Sequence, residues 1–274
     1  MTLFDVLTAA VNDMADHGYD SPERMAEWAE KIREAAKASL MSEAELTELL
    51  RRNFNSIYQR LIERGTILQL HPELTRYTLA SLQPKLHAEL QRRVLASADL
   101  IKLNRVQAID KTVQRFVGWG TSIPAGGSDV VTRVETKQEI RKALSQLPFE
   151  ERRVAIDQGH KFTASLSNIV ALDNGALAGM WRSHWRQAGY NYREHHRERD
   201  QHVYAVRGNW AIEAGLMKAG PDGYSDEHEQ PAEWPFCRCK FQWLYSLRRL
   251  PDVMLTQKGR ATLDRVQLSS VAGG

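Results

Sequence analysis

Both cysteines of the chain and four of its nine histidines fall within one stretch, His195–Lys240. The cysteines are separated by a single residue, Cys237-Arg238-Cys239. If Arg238 lies in an extended segment, side chains alternate and both thiols project to one face. Two thiolates on one face can share a zinc ion with two further donors, and His195, His196, Asp200, His202 and His228 are within sequence reach. The expected metal set is His196, Asp200, Cys237 and Cys239, with zinc as the cofactor. The same letters have a plainer reading: two buried small hydrophobes, with His196 and Asp200 as an i,i+4 surface pair.

A second cluster lies just upstream. Arg182, Arg186, Arg193, Arg197, Arg199 and Arg207 are interleaved with Trp181, Trp185, Tyr190, Tyr192 and Tyr204. Such a mixture can grip phosphates and stack on bases, so Arg182, Arg186, Arg193 and Arg197 are the candidate nucleic-acid contacts. Alternatively the aromatics form the core of a small domain, and Glu194, Glu198 and Asp200 neutralise half of the arginines. No Gly-rich phosphate loop, H-E-x-x-H or G-x-S-x-G occurs, and no catalytic residue is nominated. Metal-assisted hydrolysis at His195, His196 and Asp200 is the enzymatic alternative.

The elements that must position these residues follow from periodicity. Helices are expected over 3–16, from Pro22 behind the Ser21 cap, and from the Ser42…Glu45 capping box to Gly65. A short helix is expected over 73–81. Pro84 should then open the longest helix, reaching Gly118 with Leu86, Leu90, Val94, Ile101, Ile109, Val113 and Phe116 on one face. The run Trp119-Gly-Thr-Ser-Ile-Pro-Ala-Gly-Gly marks a loop or linker at 119–130. A second capping box at Thr136…Glu139 predicts a helix ending before Pro148, and a further helical pattern runs from Pro148 to about Met180. The segments around Trp181–Arg186, His202–Arg207 and Phe241–Leu247 alternate as strands do, and 255–268 returns to helix. The connection Ala219–Tyr224 is a turn by its Pro-Asp-Gly chemistry. The predicted class is α+β: a helical portion over 1–118 with one long helix, then a smaller mixed domain over 131–274 with a C-terminal helix.

Composition narrows the function. Hydrophobic content of 42% with 26% charged residues is that of an ordinary globular protein. No apolar run is long enough for a membrane span, the first residues carry no secretory pattern, and two cysteines suggest a reducing compartment, so synthesis in the cytoplasm is expected. Net charge is +3 but uneven: residues 1–65 carry 8 Lys/Arg against 12 Asp/Glu, and residues 66–126 carry 8 against 4. An acidic head and a basic middle suggest different neighbours, although solvated helix faces produce the same pattern.

His196-Arg-Glu-Arg-Asp200, followed about 35 residues later by Pro235-Phe-Cys237-Arg-Cys239, resembles the C-terminal signature of the phage Mu F-like family, the minor head or head morphogenesis proteins of tailed phages. The resemblance spans about residues 150–245. Gln201 stands where that pattern has a glycine after the aspartate, and Trp234 where it has a histidine before Pro-x-Cys; a zinc site would then need a substitute ligand such as His195 or Asp200. The family has been related by fold to ADP-ribosyltransferases, but His160-Lys161-Phe162-Thr163 stands where an Arg-Thr-Glu triplet is found in many members. The resemblance implies a structural, non-enzymatic minor head protein, made in the host cytoplasm and located in the virion head. Its implied partners are the portal or major capsid protein and viral DNA, without a membrane, and its role is head assembly or DNA packaging and ejection. The alternatives are a nucleic-acid-binding module of the particle, or a metal-dependent hydrolase or ADP-ribosyltransferase-like enzyme.

Overall fold

In the computed structural model, residues 1–272 are described, with side chains as far as Val266; positions 273–274 of the expected C-terminal domain lie outside the described residues. The architecture is α+β, predominantly helical with one small sheet. The chain forms two compact units. One comprises Met1–Arg51 and Val94–Ile156, the other Arg52–Arg93 and Asp157–Gly274. The stretch expected to link two domains, 119–130, lies inside the first unit.

The first unit begins with α1 (Leu3–His17) and α2 (Pro22–Ala38). Thr2 and Asp5 form a reciprocal capping box on α1, and the Ser21 side chain caps α2 ahead of Pro22. Val6, Leu7, Val11 and Met14 of α1 meet Met25 and Ile32 of α2, with Val113, Phe116 and Ile140 completing the core. The loop after Gly120 is tied to the end of α1: Gly126 N–H donates to the His17 carbonyl at 3.0 Å, and Ser128 N–H to that of Ala15 at 2.8 Å. These bonds satisfy carbonyls that the helix end leaves without partners, and they hold the loop within the unit.

Helix α3 (Glu43–Tyr58) starts at the expected Ser42–Glu45 box. It runs into a π-helical turn, Gln59–Glu63, before Gly65 stops it in the left-handed conformation. A 3₁₀ segment, Thr66–Gln69, follows. The short helix α4 starts at Arg76 rather than residue 73 and ends at Ser81, because Thr75 is still extended. Helix α5 (Gln83–Gly120) buries all seven of its predicted apolar positions.

The longest helix is not α5 but α6, Arg133–Asp173, at 41 residues against 38. It starts one turn before the Thr136 box and continues through Pro148. A proline inside a helix costs about 3 kcal/mol. Here Ile140 and Leu147 before it, and Phe162, Leu166 and Val170 after it, are all buried on the same helix, and their packing outweighs the missing hydrogen bond. Gly175, with φ +67°, ends the helical region, so the expected helix to Met180 is replaced by a strand.

That strand, β1 (Ala178–Arg182), is the centre of a three-stranded antiparallel sheet in the order β2-β1-β3. β2 is Val203–Ala205 and β3 is Lys240–Leu244. Gly179 lies against the Phe241 ring, leaving no room for a side chain there. Helices α7 (Glu194–Glu198) and α8 (Trp210–Glu213) lie in the connections, and α9 (Gln257–Ala272) is the predicted final helix. One face of the sheet packs with Ala205, Ala211, Met217, Leu247 and Met254; the other gathers Trp181, Tyr204, Phe241, Trp243 and both cysteines.

Candidate metal centre

The two ends of the sequence signature meet on that second face. His196, from α7, points Nδ1 at both thiols: 3.5 Å to Cys237 Sγ and 3.6 Å to Cys239 Sγ. All three side chains are buried. Burial along the strand approach alternates, with Cys237 and Cys239 inside, Arg238 half-buried between them and Lys240 exposed; this is the expected placing of both thiols on one face. The ring of His196 is fixed edge-on against Trp181 at 5.3 Å, and Trp181 in turn against Phe241 at 5.7 Å.

On the far side of the imidazole, His196 Nε2 lies 3.1 Å from Glu229 Oε2. The same carboxylate oxygen is 3.3 Å from His195 Nε2 and 3.6 Å from Arg199 Nη1, and Trp234 hydrogen-bonds to the carboxylate. Burial pushes the Glu229 carboxyl up, but the hydrogen bonds from His196 and Trp234 and the Arg199 charge outweigh it and hold the carboxyl below its ordinary value. With Glu229 accepting from Nε2–H, a neutral His196 ring would present its Nδ1 lone pair between the sulfurs.

A single lone pair facing two equidistant thiols suits a shared cation better than two hydrogen bonds. Zn–S of 2.3 Å and Zn–N of 2.0–2.1 Å at a tetrahedral angle separate nitrogen from sulfur by about 3.6 Å, which is the separation seen for both pairs. The thiols titrate as one unit. The hydrogen bond from Cys239 eases loss of the first proton, with Cys237 pulled down to about 5, while the resulting thiolate holds back the second. Two buried sulfurs, which a bound cation would deprotonate, beside an imidazole oriented by a carboxylate are a donor set that fits zinc, the carboxylate acting through the histidine.

Asp200, expected as a ligand, stands apart from this cluster. Its Oδ1 accepts from Ser183 N–H at 2.9 Å and its Oδ2 from the Trp185 indole at 3.2 Å. Both oxygens are thereby committed to fixing the turn after β1. His195 is engaged with Glu229 rather than the sulfurs, and makes a second, more exposed group with His196 and Glu229. His202 pairs with Asp222, and His228 Nε2 donates to the Asp222 carbonyl of the same loop at 2.9 Å. Ser183 Oγ stands 3.9 Å from Cys239 Sγ. Sequence spacing does not single out Glu229, because five acids, Asp222, Asp226, Glu227, Glu229 and Glu233, share its loop, and nothing in their spacing distinguishes the one that turns toward His196.

The candidate nucleic-acid residues divide. Arg193 donates to the Pro235 carbonyl at 3.1 Å and lies over the Trp234 ring, and Arg197 is held by Glu194 and the Tyr192 hydroxyl. Arg182 contacts the Met180 sulfur, and Arg186 lies over the Trp185 ring; both are exposed. Trp181 and Tyr204, expected as stacking platforms, are buried core residues. Among the described residues, no helix is long and apolar enough to cross a membrane. Compared with protein-family models, curated proteins and solved structures, the chain matches none.

Proposed function

We propose that this chain is a structural minor head protein of a tailed phage. On this reading its second unit is stapled by a zinc ion held by His196, Cys237 and Cys239, and it docks at the portal or capsid vertex during head assembly. One observation carries the reading: residues of the Mu F-like signature that are 41 positions apart in sequence meet in a single buried cluster. A chance match of letters has no reason to converge in space. Gln201 adds support. Its φ of +72° lies in the left-handed region that glycine enters without strain, and the signature has a glycine at that position. Trp234, which replaces the signature's histidine, bonds to Glu229 and so retains a hold on the same site.

Zinc in this setting supplies cross-linking rather than chemistry. The three donors are buried, and bridging α7 to the segment before β3 closes a long loop whose ordering is otherwise costly. The test is the composition of gradient-purified particles assembled with this chain. A fixed low copy number per particle, with matching zinc, is the expected result. A chain that stays soluble and is absent from the particles refutes the assignment.

A further inference from the structure

The second unit also holds an open cleft of about 510 Å³ that the zinc site does not use. Its walls come from the π-helical turn (Arg60), the following 3₁₀ segment (Gln69), α6 (His160), the turn after β1 (His184), the approach to β3 (Arg238) and the first residue of β3 (Lys240). No carboxylate lines it. We propose that this cleft binds a phosphate group, with Arg60, Arg238 and Lys240 as its cationic clamp.

The charge pattern supports this. Three other arginines of the unit are held by acids: Arg207 by Asp226 and Glu227, Arg92 by Glu89, Arg197 by Glu194. Arg60, Arg238 and Lys240 make no ion pair among the described residues, although all three face one concavity. Among the described residues the Arg238 guanidinium reaches neutral groups, donating to the Gln187 side-chain Oε1 at 3.2 Å and lying over the face of the Tyr190 ring. Gathering unneutralised like charges in a cleft focuses positive potential there and raises the local concentration of anions. The effect is felt at His160 on the floor, which burial and then the Arg238 charge keep below the ordinary histidine pKa. The nearest acid on that helix, Asp157, is already engaged with Phe236 N–H and Lys161.

Local structure is consistent with a site. A π-helical turn is an uncommon feature that recurs at functional positions, and here it carries Arg60. The alternation that sends Cys237 and Cys239 inward leaves Arg238 and Lys240 to line the cleft, so the thiol cluster also positions two of the three cations. Guanidinium and ammonium groups together suit a phosphate, the first as a planar fork and the second as a point charge. The volume lies within the usual range for ligand sites. None of Arg182, Arg186, Arg193 or Arg197 lines this cleft.

The phosphate could belong to a free nucleotide or to a nucleic-acid strand, and two probes separate these. AMP is titrated calorimetrically into the full chain, and a fluorescein-labelled 20-base-pair DNA is followed by anisotropy over a salt series. Arg60→Gln, remote in sequence from the cysteines, is compared with Arg238→Gln, Lys240→Gln and the paired cation Arg207→Gln. Saturable AMP binding, weakened about tenfold by each cleft substitution and unchanged in R207Q, identifies a free phosphate ligand. DNA binding without AMP binding, with a log–log salt slope that falls by about one per cleft cation removed, identifies a strand. Binding of neither probe, or binding that R60Q and K240Q leave unchanged, overturns the proposal.

Discussion

Replacing Cys237 by serine removes one donor from the buried cluster while leaving its volume nearly unchanged, so the result reports on metal rather than on a cavity. The two Nδ1···Sγ separations, 3.5 and 3.6 Å, are those of a tetrahedral zinc site. If zinc binds the folded chain and is present at a thousand times its dissociation constant, it stabilises the fold by about 4 kcal/mol. For a unit of this size, each kcal/mol moves Tm by about 2–4 °C. Loss of the site in C237S, or stripping with a strong chelator, should therefore lower Tm by about 8–16 °C. Glu229→Gln keeps all three donors but loses the charge that orients His196, and should weaken zinc 10–100-fold, a smaller drop of about 1.4–2.7 kcal/mol. The assay is elemental analysis of zinc-reconstituted protein together with scanning fluorimetry with and without chelator. Substoichiometric zinc in the wild type, with Tm insensitive to both chelator and C237S, would show that the convergence is only packing.

Three further outcomes follow from other parts of the structure. His71 is fully buried between Tyr245 OH at 2.6 Å and Ser167 Oγ at 3.2 Å, and burial holds its pKa down to about 3. Below about 6.5 the unfolded chain takes up a proton that the folded chain refuses, so this stability is complete above that pH and is lost as pH falls toward 3; at pH 5 the loss is about 2 kcal/mol. His71→Gln should reduce the loss of unfolding free energy between pH 7 and 5, measured by urea denaturation, by about that amount, and an unchanged loss refutes the assignment. In the first unit, Arg105 is almost wholly buried, with Nε donating to Glu151 at 2.6 Å and Nη1 to the Met41 carbonyl at 2.7 Å. Glu151→Gln leaves that guanidinium without its counter-charge and should cost roughly 2–3 kcal/mol in chemical denaturation; a loss under about 0.5 kcal/mol would mean that solvent already screens the pair. Gln201→Gly relieves the left-handed backbone at φ +72° and should raise stability by about 0.5–1 kcal/mol, whereas a loss of that size would show that the Gln201 side chain is needed where it lies.

Local chemistry was decided in the sequence. The Ser21 and Ser42 caps, the left-handed stop at Gly65 and the seven-residue apolar face of α5 are each set by residues within a turn or two of one another. The alternation of Cys237, Arg238, Cys239 and Lys240 is equally local, and by itself it sends the paired thiols to one face. Pro148 and the Thr136 box are local signals that packing overruled: buried side chains on both sides of the proline carry α6 through it. The membership of the metal cluster is different in kind. Four histidines and several acids lay within sequence reach of the thiols, and only the antiparallel pairing of β1 with β3, and the placing of α7 beside it, selects His196, turns Asp200 to the loop after β1 and sets Glu229 behind the imidazole. The cleft shows the same limit more strongly, since Arg60 and Lys240 are 180 residues apart. Spacing along the chain determines which face a side chain takes; which faces then meet depends on long-range packing that no single segment encodes.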